Sequence, residues 1–423
     1  MAFEIASVHA QEILDSRGRP TVSVRLEGSG GAVGTAGVPS GASTGTREAV
    51  ELRDGDPARF GGAGVTKAVG NVNGEIAEAL AGGSVDDLAA LDRLLIDLDG
   101  TDTKSRLGAN AIVGVSMAAA RAMAAAQGQP LYRFLAPAGV EARLPAPCFN
   151  VINGGRHAAN RLQPQEFMVC PLGAPTFAEA LRAGAEVYAA LRARLQGAGL
   201  AVGLGDEGGF APEIATTEDA LDLLVAAIDD AGYTPGRDGV AIALDPAASE
   251  FRGPDDRYTL VTGETPLTST ETVERWAELI DRYPIWSLED GLGEDDTDGW
   301  ALLTERLGTT VQLVGDDNFV TNPAIITDAI TEGIANAALI KLNQIGTVTE
   351  TLEAMRLCRD AGYGQMVSHR SGETTDTFIA DLTVATGCGQ IKSGAPARGE
   401  RVAKYNRLLE IEAELPTAPY GLP

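Results

Sequence analysis

The chain has 423 residues, with 33 lysines and arginines against 59 aspartates and glutamates, and a formal net charge of −26. That length implies two to three domains, or one barrel with a smaller partner, and 44% hydrophobic with 22% charged residues excludes a wholly disordered chain. The acidic balance disfavours nucleic acid or an anionic membrane as a partner, and any anionic substrate would need local cations.

Met1-Ala2-Phe3-Glu4 opens on an alternating pattern rather than a charged-then-apolar leader, which points to the cytoplasm. Two strands are expected first, over Phe3 to Leu14 and Thr21 to Leu26, separated by Asp15-Ser16-Arg17-Gly18-Arg19-Pro20. A third β segment around Ala32 to Val38 runs into the small-residue loop Pro39-Ser40-Gly41-Ala42-Ser43-Thr44-Gly45. From Val65 to Ala126 the apolar spacing becomes helical, and Leu107 to Ala126 is small all round, as in a close helical cluster. Its apolar run is interrupted by Arg121 and falls short of a bilayer span. These segments make an α+β unit over residues 1–138.

Pro145-Ala146-Pro147 reads as a boundary, and a second unit follows over residues 139–423. There, short apolar runs end in turn at Asp245, Glu289, Asp316, Lys341, His369 and Lys392. The intervals from one such end to the next are 44, 27, 25, 28 and 23 residues, each holding an amphipathic stretch such as Thr347 to Ala361. That is the length of a βα unit, so the pattern predicts a parallel barrel with these six groups at one mouth. A single strand-terminal charge is ordinarily a solvated one; six in succession are not.

Asp245, Glu289 and Asp316 are hard oxygen donors suited to Mg²⁺, and without a cation they would repel one another. Lys341, near Mg²⁺ and the second ammonium of Lys392, is expected to have a lowered pKa and to accept a proton. Asp206 and Glu207 sit on a glycine-flanked turn, equally readable as a solvated acidic turn. His369-Arg370-Ser371 offers a cation and a hydroxyl for phosphate oxygens. The four cysteines, Cys148, Cys170, Cys358 and Cys388, are spaced as buried free thiols. The groups together describe an elimination: charge on a substrate carboxylate is neutralised, a lysine removes the adjacent carbon-bound proton, and a carboxylic acid protonates the leaving hydroxyl.

Val38 to Gly45, Asn153-Gly154-Gly155 with His157, Gln165 to Met168, Gly205 to Gly209, Ser287 to Asp290, Leu339 to Lys341, Ser368 to Thr374 and Ile391 to Pro396 resemble the enolase family from the first strand to about residue 413. The resemblance implies an α/β fold, an enolase-type (β/α)8 barrel preceded by an N-terminal α+β capping domain, with the first barrel strands partly antiparallel. It also implies Lys341 as general base and Glu207 as general acid, assisted by Glu166 and His157. Asp245, Glu289 and Asp316 would hold one Mg²⁺ ion, and Ser43 a second arriving with substrate. Gln165, His369, Arg370, Ser371 and Lys392 would bind a small phosphorylated anion.

Several positions depart from the family pattern, among them Arg19, Arg156, Asn160 to Pro164, Thr297, Asn318, Thr375 and Gly399, and the sequence ends at Pro423 without an aromatic-basic tail. The family's inter-subunit ion pair falls on Ser23 and Glu410, so a homo-oligomer, dimer or higher, would have an altered interface. Arg156, Arg161 and Asn318 adjoin His157, Glu166 and Asp316 and would suit an additional anion. Their placement favours a specialised relative, carboxyphosphonoenolpyruvate synthase of phosphonate antibiotic pathways, which takes a second phosphonate substrate. The alternative is ordinary interconversion of 2-phosphoglycerate and phosphoenolpyruvate; a third reading is a non-catalytic binding protein on the same scaffold.

Overall fold

The computed structural model describes residues 2–42 and 45–423. The expectation that Ser43 ligates a second metal lies outside the described residues.

The cap begins with strands β1 (Phe3–Leu14), β2 (Pro20–Gly28) and β3 (Val33–Gly37). With the short β4 (Ser84–Val85) they form an antiparallel sheet ordered β3-β2-β1-β4. Alternation drives this arrangement: Ile5, Val8 and Ala10 of β1, and Val22, Val24 and Leu26 of β2, turn inward. The helix Ala109–Ala126 lies across β2 and β3 rather than only among helices. Small residues permit the close approach: a Cβ on Gly34 would stand 1.9 Å from the Ala118 carbonyl oxygen. This helix is long and apolar enough to cross a membrane, contrary to the expectation above, yet 83% of it is buried within the protein.

Pro145-Ala146-Pro147 runs straight into the second sheet. Strands β5 (Ala146–Asn153), β6 (Glu166–Cys170), β7 (Ala241–Asp245), β8 (Ile285–Glu289), β9 (Gln312–Gly315), β10 (Ala337–Ile340), β11 (Gly364–Ser368) and β12 (Gln390–Lys392) close into an eight-stranded barrel. All six strand ends expected from the apolar runs are present. The uniformly parallel reading is not: β6 runs antiparallel to both β5 and β7. The segment between β5 and β6 holds only a three-residue helical turn, Gly155–His157, so the chain turns back as a hairpin instead of crossing over through a helix.

Several barrel helices start on a side chain that takes up a free backbone N–H: Thr176, Thr216, Thr268, Asn322 and Thr347. Such caps are worth about 1 kcal/mol each and set where each loop must end. Cys148, Met168, Cys170, Trp286, Leu339 and Met366 are among the side chains that fill the barrel interior, so one end alone opens to solvent. The four cysteines are free and buried, and the distant Cys148 and Cys170 meet in that interior cluster.

Candidate active site

Asp245, Glu289 and Lys392 are the last residues of β7, β8 and β12, while Asp316, Lys341 and His369 directly follow β9, β10 and β11. Glu166 is the first residue of the reversed β6 and pairs in register with Asp245. One cleft is lined by His157, Gln165, Glu166, Glu207, Asp245, Asp316, Lys341, His369, Arg370, Ser371 and Lys392, with Ala42 of the cap loop at its rim. Glu289 lies beneath, 1% exposed.

The two lysines are embedded among the acids. Lys392 Nζ donates to Glu289 Oε1 and Oε2 at 2.7 and 2.8 Å and to Asp245 Oδ2 at 3.1 Å, with Glu166 Oε2 3.5 Å away. Lys341 Nζ lies 2.5 Å from Asp316 Oδ2, and Gln344 Nε2 donates to Asp316 Oδ1 at 2.9 Å. Burial alone would lower Lys341, but the facing Asp316 carboxylate outweighs it and holds the ammonium above its ordinary value. Lys392 is likewise driven well up, by Asp245, Glu166 and Glu289, against its burial.

Even with both lysines charged, negative groups are in excess. Glu166, Glu207, Asp245, Glu289, Asp290, Asp316 and Asp317 crowd the mouth. Burial and the neighbouring acids push Glu289 and Asp290 well up, and Asp317 up to about 8. Carboxyls whose charge is this costly mark a place that a divalent cation would relieve. Asp245, Glu289 and Asp316 are hard oxygen donors and fit Mg²⁺ in type. Asp290, at a positive φ of 41°, accepts the backbone N–H groups of Asp316 and Asp317 at 2.9 and 3.0 Å, so it fixes the end of β9.

Opposite the lysines, Glu207 projects from the turn around Gly208, whose φ of +87° suits glycine. His157 lies between Glu166 and Glu207, with Nδ1 and Nε2 each 3.8 Å from the respective carboxylate. Burial and the charge of Glu207 push Glu166 well up. Burial would do the same to Glu207, but His369, His157 and Arg401 bring it well below the usual carboxylate range. The two carboxyls are thus pushed in opposite directions, Glu166 toward its neutral form and Glu207 toward its charged form. Arg370 pairs with Glu48 of the cap loop, and Ser371 Oγ accepts from Arg17 Nη1 at 3.1 Å.

Three residues expected to bind substrate do not line the cleft. Arg156 is paired with Glu250 at 2.5 Å with its side chain 57% exposed, and Arg161 with Glu213 at 2.7 Å, 64% exposed. Each follows its nearest surface acid, while the neighbouring His157 and Glu166 turn inward. Asn318 is buried, but it lines a separate hollow with Arg47, Thr297 and Trp300, and its carbonyl accepts from Arg47 Nη2 at 2.6 Å. These residues build no second anion site in the cleft. Sequence reasoning missed Glu48, Arg17, Asp290 as a tether, Gln344 and Arg401, because each acts through a partner far away in the chain. For Asp290 a signal existed: it directly follows Glu289 at a strand end.

Two family models cover most of the chain: "Enolase, N-terminal domain" at residues 5–135 and "Enolase, C-terminal TIM barrel domain" at residues 141–420. The chain is also 57% identical over 412 residues to a curated enolase of Rubrobacter xylanophilus, spanning 97% of this chain and 95% of that protein. Barrel, cap, cleft and sequence agree: the chain belongs to the enolase family.

Proposed function

We propose that this protein interconverts 2-phosphoglycerate with phosphoenolpyruvate and water. The observation that carries this reading is the single cleft in which Lys341, the Glu166–Glu207 pair and the Asp245, Glu289 and Asp316 carboxylates converge, in a chain so similar to a curated enolase. The specialised phosphonate reading loses its support, because Arg156 and Arg161 pair with surface acids instead.

Arg370 and Ser371 are placed to hold the phosphate, and Lys392 and Gln165 to orient the rest of the anion. Asp245, Glu289 and Asp316 would hold Mg²⁺, which would supply positive charge against the substrate carboxylate and offset the pull of Asp316 on Lys341. Lys341 Nζ then accepts the proton from the carbon beside that carboxylate. On the opposite side Glu207, assisted by Glu166 and by His157 between them, donates a proton to the departing hydroxyl.

Phosphorus NMR of the purified protein with Mg²⁺ and 2-phosphoglycerate tests the reading. Phosphoenolpyruvate should form from 2-phosphoglycerate alone, stop on adding EDTA and resume with excess Mg²⁺. A carbon–phosphorus product formed only with activated phosphonoformate would overturn it.

A further inference from the structure

Arg401 is the third residue of the helix Gly399–Glu414. Its side chain is fully buried, and it does not line the cleft. Its guanidinium reaches back to the mouth of the barrel. Nη1 lies 2.5 Å from His369 Nδ1 and 2.6 Å from the Arg370 carbonyl oxygen. Nη2 donates to the carbonyls of Ser371 at 2.6 Å and Asp206 at 3.2 Å. One cation thus spans the loop carrying Arg370 and Ser371 and the turn carrying Glu207.

The contact with His369 has a chemical consequence. A guanidinium can only donate, so His369 Nδ1 must accept and carries no proton. The ring proton is then confined to Nε2, which lies 3.0 Å from Glu207 Oε2. A neutral imidazole so arranged donates one directed hydrogen bond to Glu207, alongside that from Asn150 Nδ2 at 3.1 Å to the same oxygen. Burial, with the charge of Arg401 beside it, lowers the pKa of His369 to about 3 even though Glu207 opposes the shift. Both the contact and the burial therefore favour the neutral ring.

We propose that Arg401 is a positioning residue: by fixing His369 as the Nε2–H tautomer, it aims a permanent donor at Glu207 and so holds that carboxylate at the leaving-group side of the cleft. The catalytic part of this inference rests on the reading that Glu207 serves the departing hydroxyl; the tautomer itself does not.

The test uses the histidine ring nitrogens, since the chain has three histidines and the His369 signal is identified by its loss in His369→Gln. In the ¹⁵N-histidine-labelled full chain, His369 Nδ1 should resonate as an unprotonated nitrogen and Nε2 as a protonated one across the neutral range. In Arg401→Met the ring should lose that bias, either titrating or mixing tautomers. The kcat for 2-phosphoglycerate should then fall about ten- to a hundred-fold while KM changes less. Arg401→Lys, which restores a donor, should recover the tautomer and part of kcat. A purely structural role would lower the melting temperature and leave the His369 nitrogen shifts unmoved. A wild-type His369 protonated at Nδ1 overturns the proposal even if Arg401→Met fails to fold. An unchanged tautomer in Arg401→Met also overturns it, as does a scrambled one with kcat intact. A wild-type protein with the expected tautomer but no turnover of 2-phosphoglycerate would instead count against the functional reading.

Discussion

Glu48 of the cap loop grips Arg370 of the barrel from both sides: Oε2 accepts from Nη1 and Oε1 from Nη2, each at 3.1 Å. The carboxylate stands where the guanidinium would otherwise present two donors to a phosphate. A cap side chain and an incoming phosphate therefore draw on the same guanidinium. Glu48→Gln should tighten binding of inorganic phosphate about five-fold, equivalent to about 1 kcal/mol. Arg370→Lys, which loses the planar fork, should weaken it at least about ten-fold. Titration calorimetry decides both, and unchanged affinity in Glu48→Gln would show that the pair does not compete with phosphate.

Lys341 is the only ammonium in contact with Asp316 among the described ion pairs. Lys341→Ala should lower turnover at least about a thousand-fold and abolish exchange of the substrate carbon-bound proton in heavy water. Gln344 still holds Asp316 at 2.9 Å, so the fold and Mg²⁺ binding should persist. Exchange at the wild-type rate in the variant would remove Lys341 from the role of base.

Arg156 and Arg161 make exposed ion pairs with Glu250 and Glu213, and such pairs contribute little. Alanine at either position should leave kcat/KM for 2-phosphoglycerate within about two-fold. A ten-fold loss in steady-state assays would bring these side chains back to the substrate.

A separate carboxyl reports on the joint between cap and barrel. Asp92, on the cap helix Leu88–Asp99, accepts from Thr349 N at 2.9 Å and Thr349 Oγ1 at 2.6 Å, at the start of the barrel helix Val348–Asp360. Burial pushes it up to about 6 despite those bonds. A carboxyl raised in the folded state costs nothing below its unfolded value, since both states are then protonated. The cost grows as pH rises through the unfolded pKa of about 4 and is complete above about 6, where it amounts to roughly 3 kcal/mol. Asp92→Asn should therefore melt close to wild type at pH 4 and several degrees above it at pH 7.5. A melting difference independent of pH would show that Asp92 ionises normally in the fold.

The six groups from Asp245 to Lys392 were readable because each terminates an apolar run too short for a helix, at the interval of a βα unit. Glu166 was not readable that way. Strand β6 is buried on both faces and shows no alternation, so its reversed direction is invisible in the residue pattern, and its role came from family resemblance. The close pairing of Lys341 with Asp316, 2.5 Å apart, was not readable either, because no spacing reveals it. Arg156 and Arg161 misled for the opposite reason. Closeness in sequence to His157 and Glu166 says nothing about side-chain direction: Arg156 faces solvent while the next residue, His157, is buried.

The backward course of β6 divides responsibilities within the mouth. Every other chemically equipped strand hands over its terminal residue or the one just beyond, but this one offers its opening residue, so the hairpin stretch 154–165 bears directly on Glu166 and His157. Sliding that strand by one place would swing Phe167 into the opening and bury the acid in the wall. Changes in the hairpin's length or shape can therefore retune departure of the hydroxyl while the parallel strands keep their carboxylates and ammonium groups in place.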